Sequence, residues 1–197
     1  LKISSTPDDP SRAVVAGVAA LLERHKIRPE DVSYLCHGTT VATNTILQRA
    51  GARVGLVTTA GFRDLLEIGR QKRPSVYDLF ADKPPVLVPR HLRREVAERV
   101  SHEGRIIKKL NVRAARKQVR DLLRSGIDAL AVCFLHSYAN PAHERRVKEL
   151  ARELSADIYL SASHELTSEF REYERFLAAV LNAYVGTKVG DYLGRLR

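Results

Sequence analysis

The stretch "IDALAVCFLHSYANPAHERRVKELARELSADIYLSAS", residues 127–163, decides the architecture. Its first nine residues, "IDALAVCFL", are almost wholly apolar. They read as a strand covered on both faces. Asn140 then caps a helix and Pro141 occupies its first position, where the missing N–H costs nothing. The helix runs through "AHERRVKELAREL", and "DIYLSAS" returns as a second strand. A strand, a helix and a strand joined by short loops make a parallel crossover unit.

The same alternation extends upstream. "VSYLCH" (32–37) and "RVGLVTT" (53–59) read as strands, each followed by a helical stretch: "TTVATNTILQRAG", which Gly51 can terminate, and "AGFRDLLEIG". Before them, Asp9 and Pro10 signal the start of a helix through "SRAVVAGVAALLERHK". Residues 71–92 hold four of the eight prolines and little periodicity, and read as an irregular surface excursion. "REVAERV" and "RIIKKL" flank "SHEG" as a hairpin. The chain closes on a long helix from about Ser168 to about Tyr184, with Phe170, Tyr173, Leu177, Val180, Leu181 and Tyr184 as its apolar stripe. The expected fold is α/β: a mostly parallel sheet with helices on both faces, right-handed crossovers and one β-hairpin insertion. Residues 1–197 are expected to form a single domain, with 71–110 as the excursion plus hairpin within it.

Each expected strand ends in polar residues. The first ends in His37, Thr39 and Thr40, the second in Thr58 and Thr59, the third in His136 and Ser137, the fourth in Ser161, Ser163 and His164. In an open parallel sheet such ends lie along one edge, where these folds bind ligands. At "HGTT" and "TTAGF" the strand end runs into a helix start, whose free N–H groups favour an anionic or carbonyl oxygen. Ser and Thr there are also ordinary helix caps. The agreement of four ends is the stronger signal. Arg63 and Arg70 are candidates to grip a substrate carboxylate. His37, His136 and His164 are the histidines that a metal would need to converge, but no His-Glu pair here is followed by a second His at zinc-protease spacing, so no metal site is assigned.

Composition narrows the class. With 44% hydrophobic and 28% charged residues the chain is an ordinary globular one. No apolar run approaches the roughly 20 residues of a membrane helix, and no signal peptide is visible, so a cytoplasmic location is expected. Cys36 and Cys133 lie in apolar runs and read as small buried hydrophobes. The net charge of +10 is concentrated between Arg105 and Arg124. A polyanion-binding module is therefore one candidate class. Against it, no aromatic residue lies between Phe80 and Phe134 to stack on bases, and helical spacing over 112–124 puts the basic residues opposite an apolar face of Val112, Ala115, Val119, Leu122 and Leu123. A solvated face and no nucleic-acid partner is the expectation.

"HGTTVATNTILQRAGARVGLVTTAGFRDLLEIGRQKRPSVYDL" resembles the N-terminal region of the hydantoinase A / 5-oxoprolinase family, which includes acetone carboxylase beta-type subunits. The resemblance continues through "LVPRHLRREVAERV", "AVCFLHSYANPAHE" and "REYERF" to "NAYV". It implies an actin-like and sugar-kinase-like (ribonuclease H-like) ATPase relative. It implies part of an enzyme that uses ATP and magnesium to activate a carbonyl by phosphorylation. The substrate would be a cyclic amide such as a hydantoin or 5-oxoproline, or, in carboxylases, a ketone. It also implies that Thr39, Thr40 and Asn44 hydrogen-bond phosphate or the activated carbonyl and that His37 orients them or exchanges a proton; from the strand-end pattern and the Arg forks, Thr58, Thr59, Arg63, Arg70, His136 and Ser161 are expected toward substrate. Expected partners are the remaining domains of the same chain or a hydantoinase B-type subunit, with a homo-oligomer also open. The family's phosphate-handling strand-turn is expected upstream of Leu1, and these residues alone are expected to be inactive. Ala178 and Ala179 stand where the family commonly has Thr.

Overall fold

Residues 129–133 need partners on both sides, and they have them. In the computed structural model, which describes residues 1–6, 9–72, 74–78 and 80–196, β1 (Val54–Thr59), β2 (Arg93–Val96), β5 (Ala129–Cys133) and β6 (Tyr159–Ala162) form one sheet. Its order is β2-β1-β5-β6 and every pairing is parallel. β1 and β5 are the two central strands and are buried along their whole length. This is the all-parallel, two-sided burial that their unbroken apolar runs call for.

Register fixes which side chains share a face. Leu56, Arg93, Ala131 and Ser161 are in line across the sheet, and Gly55, Leu130 and Leu160 alternate with them. The Gly55 face is covered by α4 (Val112–Arg124) and α5 (Ala142–Leu154). A Cβ at Gly55 would lie 2.9 Å from Ile127 and 3.2 Å from Leu122. The Leu56 face is covered by residues 172–186 of α7 (Glu172–Arg195), whose Asn182 donates to Ser161 Oγ at 3.1 Å. Gly186 allows that approach, since a Cβ there would sit 2.2 Å from the Tyr159 ring. The core between these layers includes Leu56, Leu122, Leu130, Val147, Leu150 and Phe176, all essentially inaccessible. Each such side chain contributes about 1.5–3 kcal/mol on burial.

The chain divides into two compact units, Leu1–Gly51 with Thr187–Arg197, and Ala52–Gly186. All four strands of the sheet lie in the second. The first contains α1 (Pro10–His25), a 3-10 turn at Pro29–Asp31, α2 (Val41–Leu47) and the end of α7. Asp9 caps α1 as expected, accepting from Ser11 N at 3.3 Å, with Pro10 in the first turn.

Several local expectations are corrected. "VSYLCH" forms no strand; Tyr34 and Leu35 are 80% and 66% exposed, and without a paired neighbour an extended segment gains no ladder. Cys36 is accordingly exposed, while Cys133 is buried. α2 ends at Leu47 and Arg49, not Gly51, takes the left-handed turn at φ 50°. "AGFRDLLEIG" yields one helical turn, α3 (Leu65–Ile68), stopped by Gly69 at φ 57°. "REVAERV" divides: its first half is β2 of the parallel sheet, and only β3 (Arg99–Val100) pairs antiparallel with β4 (Ile106–Lys108). α7 starts later and runs longer than its apolar stripe suggested, and Phe170 lies before it, 68% exposed.

Candidate functional site

The strand order reverses direction between β1 and β5. The chain first adds β2 on one side of β1, then β5 and β6 on the other. Ligands of open parallel sheets bind beyond the carboxyl ends at such a switch point. Here that edge is already filled by the protein's own carboxylates. Glu95 Oε1 accepts from Gly61 N at 2.7 Å and Arg63 N at 3.4 Å, so the donors expected at "TTAGF" are engaged. Leu135 N donates to Thr59 Oγ1 at 3.1 Å, and Thr59 donates to the buried carboxylate of Glu98. His143 Nδ1 donates to the other Glu98 oxygen at 2.7 Å.

Glu144, wholly buried, organises the ends of β5 and β6. Its Oε1 accepts from Phe134 N and Ser163 Oγ, both at 2.7 Å. Its Oε2 accepts from His164 N at 3.0 Å and His164 Nδ1 at 2.6 Å. The equally buried Arg175 answers it: the guanidinium donates to Ser137 Oγ, to Ser163 Oγ at 3.0 Å and to Phe134 O at 3.1 Å, and lies over the Tyr138 ring. Two opposite charges are thus joined through Ser163 in a dry interior, where each is tolerable only with the other. The Cys133 thiol beneath them is pushed well above its usual pKa, first by burial and then by the charge of Glu144. It is no thiolate nucleophile.

The sequence-selected residues of this unit fall as follows. Thr58 and Thr59 are buried, and Thr58 Oγ1 has no hydrogen-bond partner among the described residues. Ser161 is buried against Asn182. Arg70 pairs with Glu174, Nε to Oε1 at 2.7 Å. Arg63 is half-buried, with its Nε unpartnered. His136 is the one that keeps a free ring nitrogen near the surface. Its backbone is left-handed at φ 55°, Nδ1 donates to Val100 O at 2.9 Å, and Nε2 lies 3.9 Å from Glu172. The bond to a carbonyl fixes the proton on Nδ1 and leaves Nε2 as the acceptor when the ring is neutral.

His37, Thr39, Thr40 and Asn44 lie in the other unit, on neither a strand end nor the sheet. They line two recesses there. One, of about 460 Å³, has His37, Gly38, Thr39 and Thr40 along its wall. The other, of about 500 Å³, has Asn44, Gln48, Lys188 and Asp191. Tyr192 lines both, and its hydroxyl is 2.6 Å from His37 Nε2. Thr39 Oγ1 accepts from Val41 N at 3.2 Å, and Asn44 Nδ2 donates to Thr40 Oγ1 at 3.3 Å. Among the described residues both hydroxyl hydrogens and the second amide hydrogen of Asn44 stay available to a ligand. A histidine in contact with a tyrosine beside two threonines and an amide can hold an oxygen-rich group and exchange a proton with it.

Glu98, His143, Glu144, Arg175 and Tyr192 escaped the sequence reading. For Glu144 the signal existed. Val147, Leu150 and Ala151, three, six and seven residues on, share its helix face and are buried. A carboxylate on that stripe has to be hydrogen-bonded inside. Arg175 stands likewise four and eight residues before buried Ala179 and Ala183. The basic residues of α4 do lie outward, with Arg116 paired to Glu153 and Lys117 to Asp121.

Solved structures share this fold. The solved ATP-dependent caprolactamase from Pseudomonas jessenii superposes with a TM-score of 0.87 at 32% identity, over 100% of this chain and 29% of that one. 5-Oxoprolinase 1 of Arabidopsis thaliana is 34% identical over 97% of this chain and 17% of its own length. The nucleotide-free acetone carboxylase structure gives a TM-score of 0.85 at 26% identity, over 98% of this chain and 30% of that one. The chain thus spans less than a third of each of these relatives. Residues 1–155 match the hydantoinase/oxoprolinase N-terminal region. With that match and these likenesses running the length of the chain, it belongs to the hydantoinase/oxoprolinase family.

Proposed function

We propose that the full-length protein is an ATP-dependent hydrolase that opens a cyclic amide after phosphorylating its carbonyl oxygen. The reaction class is supported by two relatives, the ATP-dependent caprolactamase and 5-oxoprolinase 1. The observation that carries it to particular residues is the recess wall of His37, Thr39 and Thr40, with Tyr192 on His37 and Asn44 one helical turn away. In this reading Thr39, Thr40 and Asn44 hydrogen-bond the oxygen on which negative charge develops. Removing one such donor typically costs about 10²–10³ in rate. His37 carries the proton, with Tyr192 holding its ring.

ATP would supply the phosphoryl group and magnesium would screen its charge. The carboxyl edge of the sheet does not fit the triphosphate, because Glu95, Thr59 and Glu144 already accept its backbone N–H groups. The free hydroxyls of Thr39 and Thr40 and the Lys188 ammonium suit an anionic oxygen better. Among the described residues no group of three or more His, Cys, Asp or Glu is placed to hold a metal. Magnesium coordination is therefore not assigned to this chain. His136 is the proposed substrate contact of the sheet unit. Expected partners are the remaining domains or a second subunit.

A ketone carboxylase on the same scaffold is the second reading, favoured by the likeness to acetone carboxylase. Phosphate release from ATP by the full-length protein separates the two. It should rise with caprolactam, hydantoin or 5-oxoproline alone. If it rose only with acetone or acetophenone in the presence of bicarbonate, the hydrolase reading would be replaced by the carboxylase one.

A further inference from the structure

A cleft of about 490 Å³ opens on the α7 side of the Ala52–Gly186 unit, and of the site residues selected from the sequence it is lined by Arg70 alone. That is within the size range of small-molecule sites. Its walls are apolar: Leu66 from α3, Pro84 and Val86 from the following segment, and Tyr173, Leu177 and Val180 from α7. Gly69 lines it as well. At φ 57° and ψ −138° its backbone suits glycine, and a Cβ would lie 3.6 Å from the Tyr173 ring. Two ties brace the walls. Arg70 is paired with Glu174 on α7, and Lys83 Nζ donates to Ile68 O at 3.0 Å and Glu67 O at 3.4 Å.

The charges at the rim do not balance. Glu67, the one carboxylate lining the cleft, is held by Arg93 at 2.8 Å, and Arg70 is held by Glu174. Among the described residues Lys72 and Lys83 have no carboxylate within ion-pair distance, and Lys83 donates only to the uncharged carbonyls of Glu67 and Ile68. An apolar floor below two uncompensated ammonium groups selects a molecule with an apolar body and one anionic end. We propose that this cleft is a binding site for a small amphipathic carboxylate. The proposal does not depend on the hydrolase reading, and nothing in it requires turnover.

Octanoate is the probe, titrated calorimetrically into the full-length protein, with octan-1-ol and octylammonium as controls. Octanoate should bind saturably at one site, octan-1-ol more weakly, and octylammonium not at all. Leu177→Trp, which fills the cleft from α7, should abolish binding. Val86→Trp fills it from the opposite wall and serves if the first variant melts early. Replacing Lys72 by Gln, which leaves the Lys83 tie in place, should weaken octanoate about tenfold, the size of one exposed charge-assisted contact, and leave octan-1-ol unchanged. No saturable octanoate binding would overturn the proposal. So would octanoate affinity that survives both Trp variants in protein that melts like the wild type. Octylammonium binding as tightly as octanoate would overturn the anionic selectivity and the proposal with it.

Discussion

Replacing Glu144 by Gln changes one buried oxygen into an amide nitrogen and removes a charge, with almost no change in volume. Each Glu144 oxygen accepts two hydrogen bonds, so the new NH₂ must face two donors whichever way the amide lies. Facing Phe134 N and Ser163 Oγ, the hydroxyl can rotate away but the backbone N–H cannot. Facing His164, the ring can change tautomer and accept, but the His164 backbone N–H is again orphaned. One buried N–H is therefore left unpaired in either case, at about 1–3 kcal/mol. Arg175 also loses its counter-charge, and breaking a buried pair costs about 3–5 kcal/mol in total. A loss of about 3 kcal/mol is expected, or about 6–12 °C in melting temperature for a chain of this size. Exchange of the Phe134 or His164 amide hydrogen, followed by NMR, should accelerate locally as well. Removing Arg175 in the same background, by Arg175→Met, should cost less than the two single losses added together. A Glu144→Gln protein that melts within about 1 °C of the wild type, with both amides still protected, would refute the buried network; a degree here is worth only about 0.3–0.5 kcal/mol.

Gly186→Ala gains up to about 1 kcal/mol in helix propensity but forces α7 or the Tyr159 ring to move, at about 1–3 kcal/mol, so a net loss is expected in urea unfolding and Tyr159→Ala should recover part of it. Asp64 is held below its usual pKa, first by the hydrogen bonds from Arg90. A depressed carboxyl stabilises fully above its unfolded value and stops doing so as pH falls through the folded value. The melting difference between wild type and Arg90→Gln should therefore be flat above about pH 5 and shrink below about pH 4, and a difference that grew in acid would contradict the pairing. In the full-length enzyme, Asn44→Ala should lower kcat about 10²–10³-fold while leaving the melting temperature essentially unchanged. The helix gains propensity and loses only the 3.3 Å bond to Thr40.

The parallel sheet was legible because β1 and β5 are continuous apolar runs with helices of clear period between them. α1 and α4 were legible at their caps, Asp9 and Asn111, whose side chains accept from Ser11 N and Ala114 N. What failed had a physical cause in each case. "VSYLC" has strand propensity, but propensity without a neighbouring strand makes no ladder. "REVAERV" carries one pattern and serves two sheets, a division that only long-range pairing decides. The strand-end polar residues were read as pointing to ligand. In the Ala52–Gly186 unit three of them, Thr59, Ser163 and His164, bond instead to carboxylates brought from elsewhere in the chain: Glu98 from just before β3 and Glu144 from α5. Such partners are 19 to 39 residues away in sequence, as with Ser163 and Glu144 or Thr59 and Glu98, and no local pattern announces them. His37 was legible as a polar residue out of place, but its partner Tyr192 stands 155 residues on.

The most direct test of the account follows the oxygen of the substrate carbonyl. If the full-length enzyme phosphorylates that oxygen, the released phosphate carries it away when the carbon–oxygen bond breaks. Caprolactam or 5-oxoproline labelled with heavy oxygen at the ring carbonyl should, on turnover with unlabelled ATP in unlabelled water, give labelled inorganic phosphate by mass spectrometry. The label should appear in step with ring opening, and both should slow together in His37→Ala. Ring opening at the full rate with all of the label retained in the product carboxylate, and none in phosphate, would contradict the account.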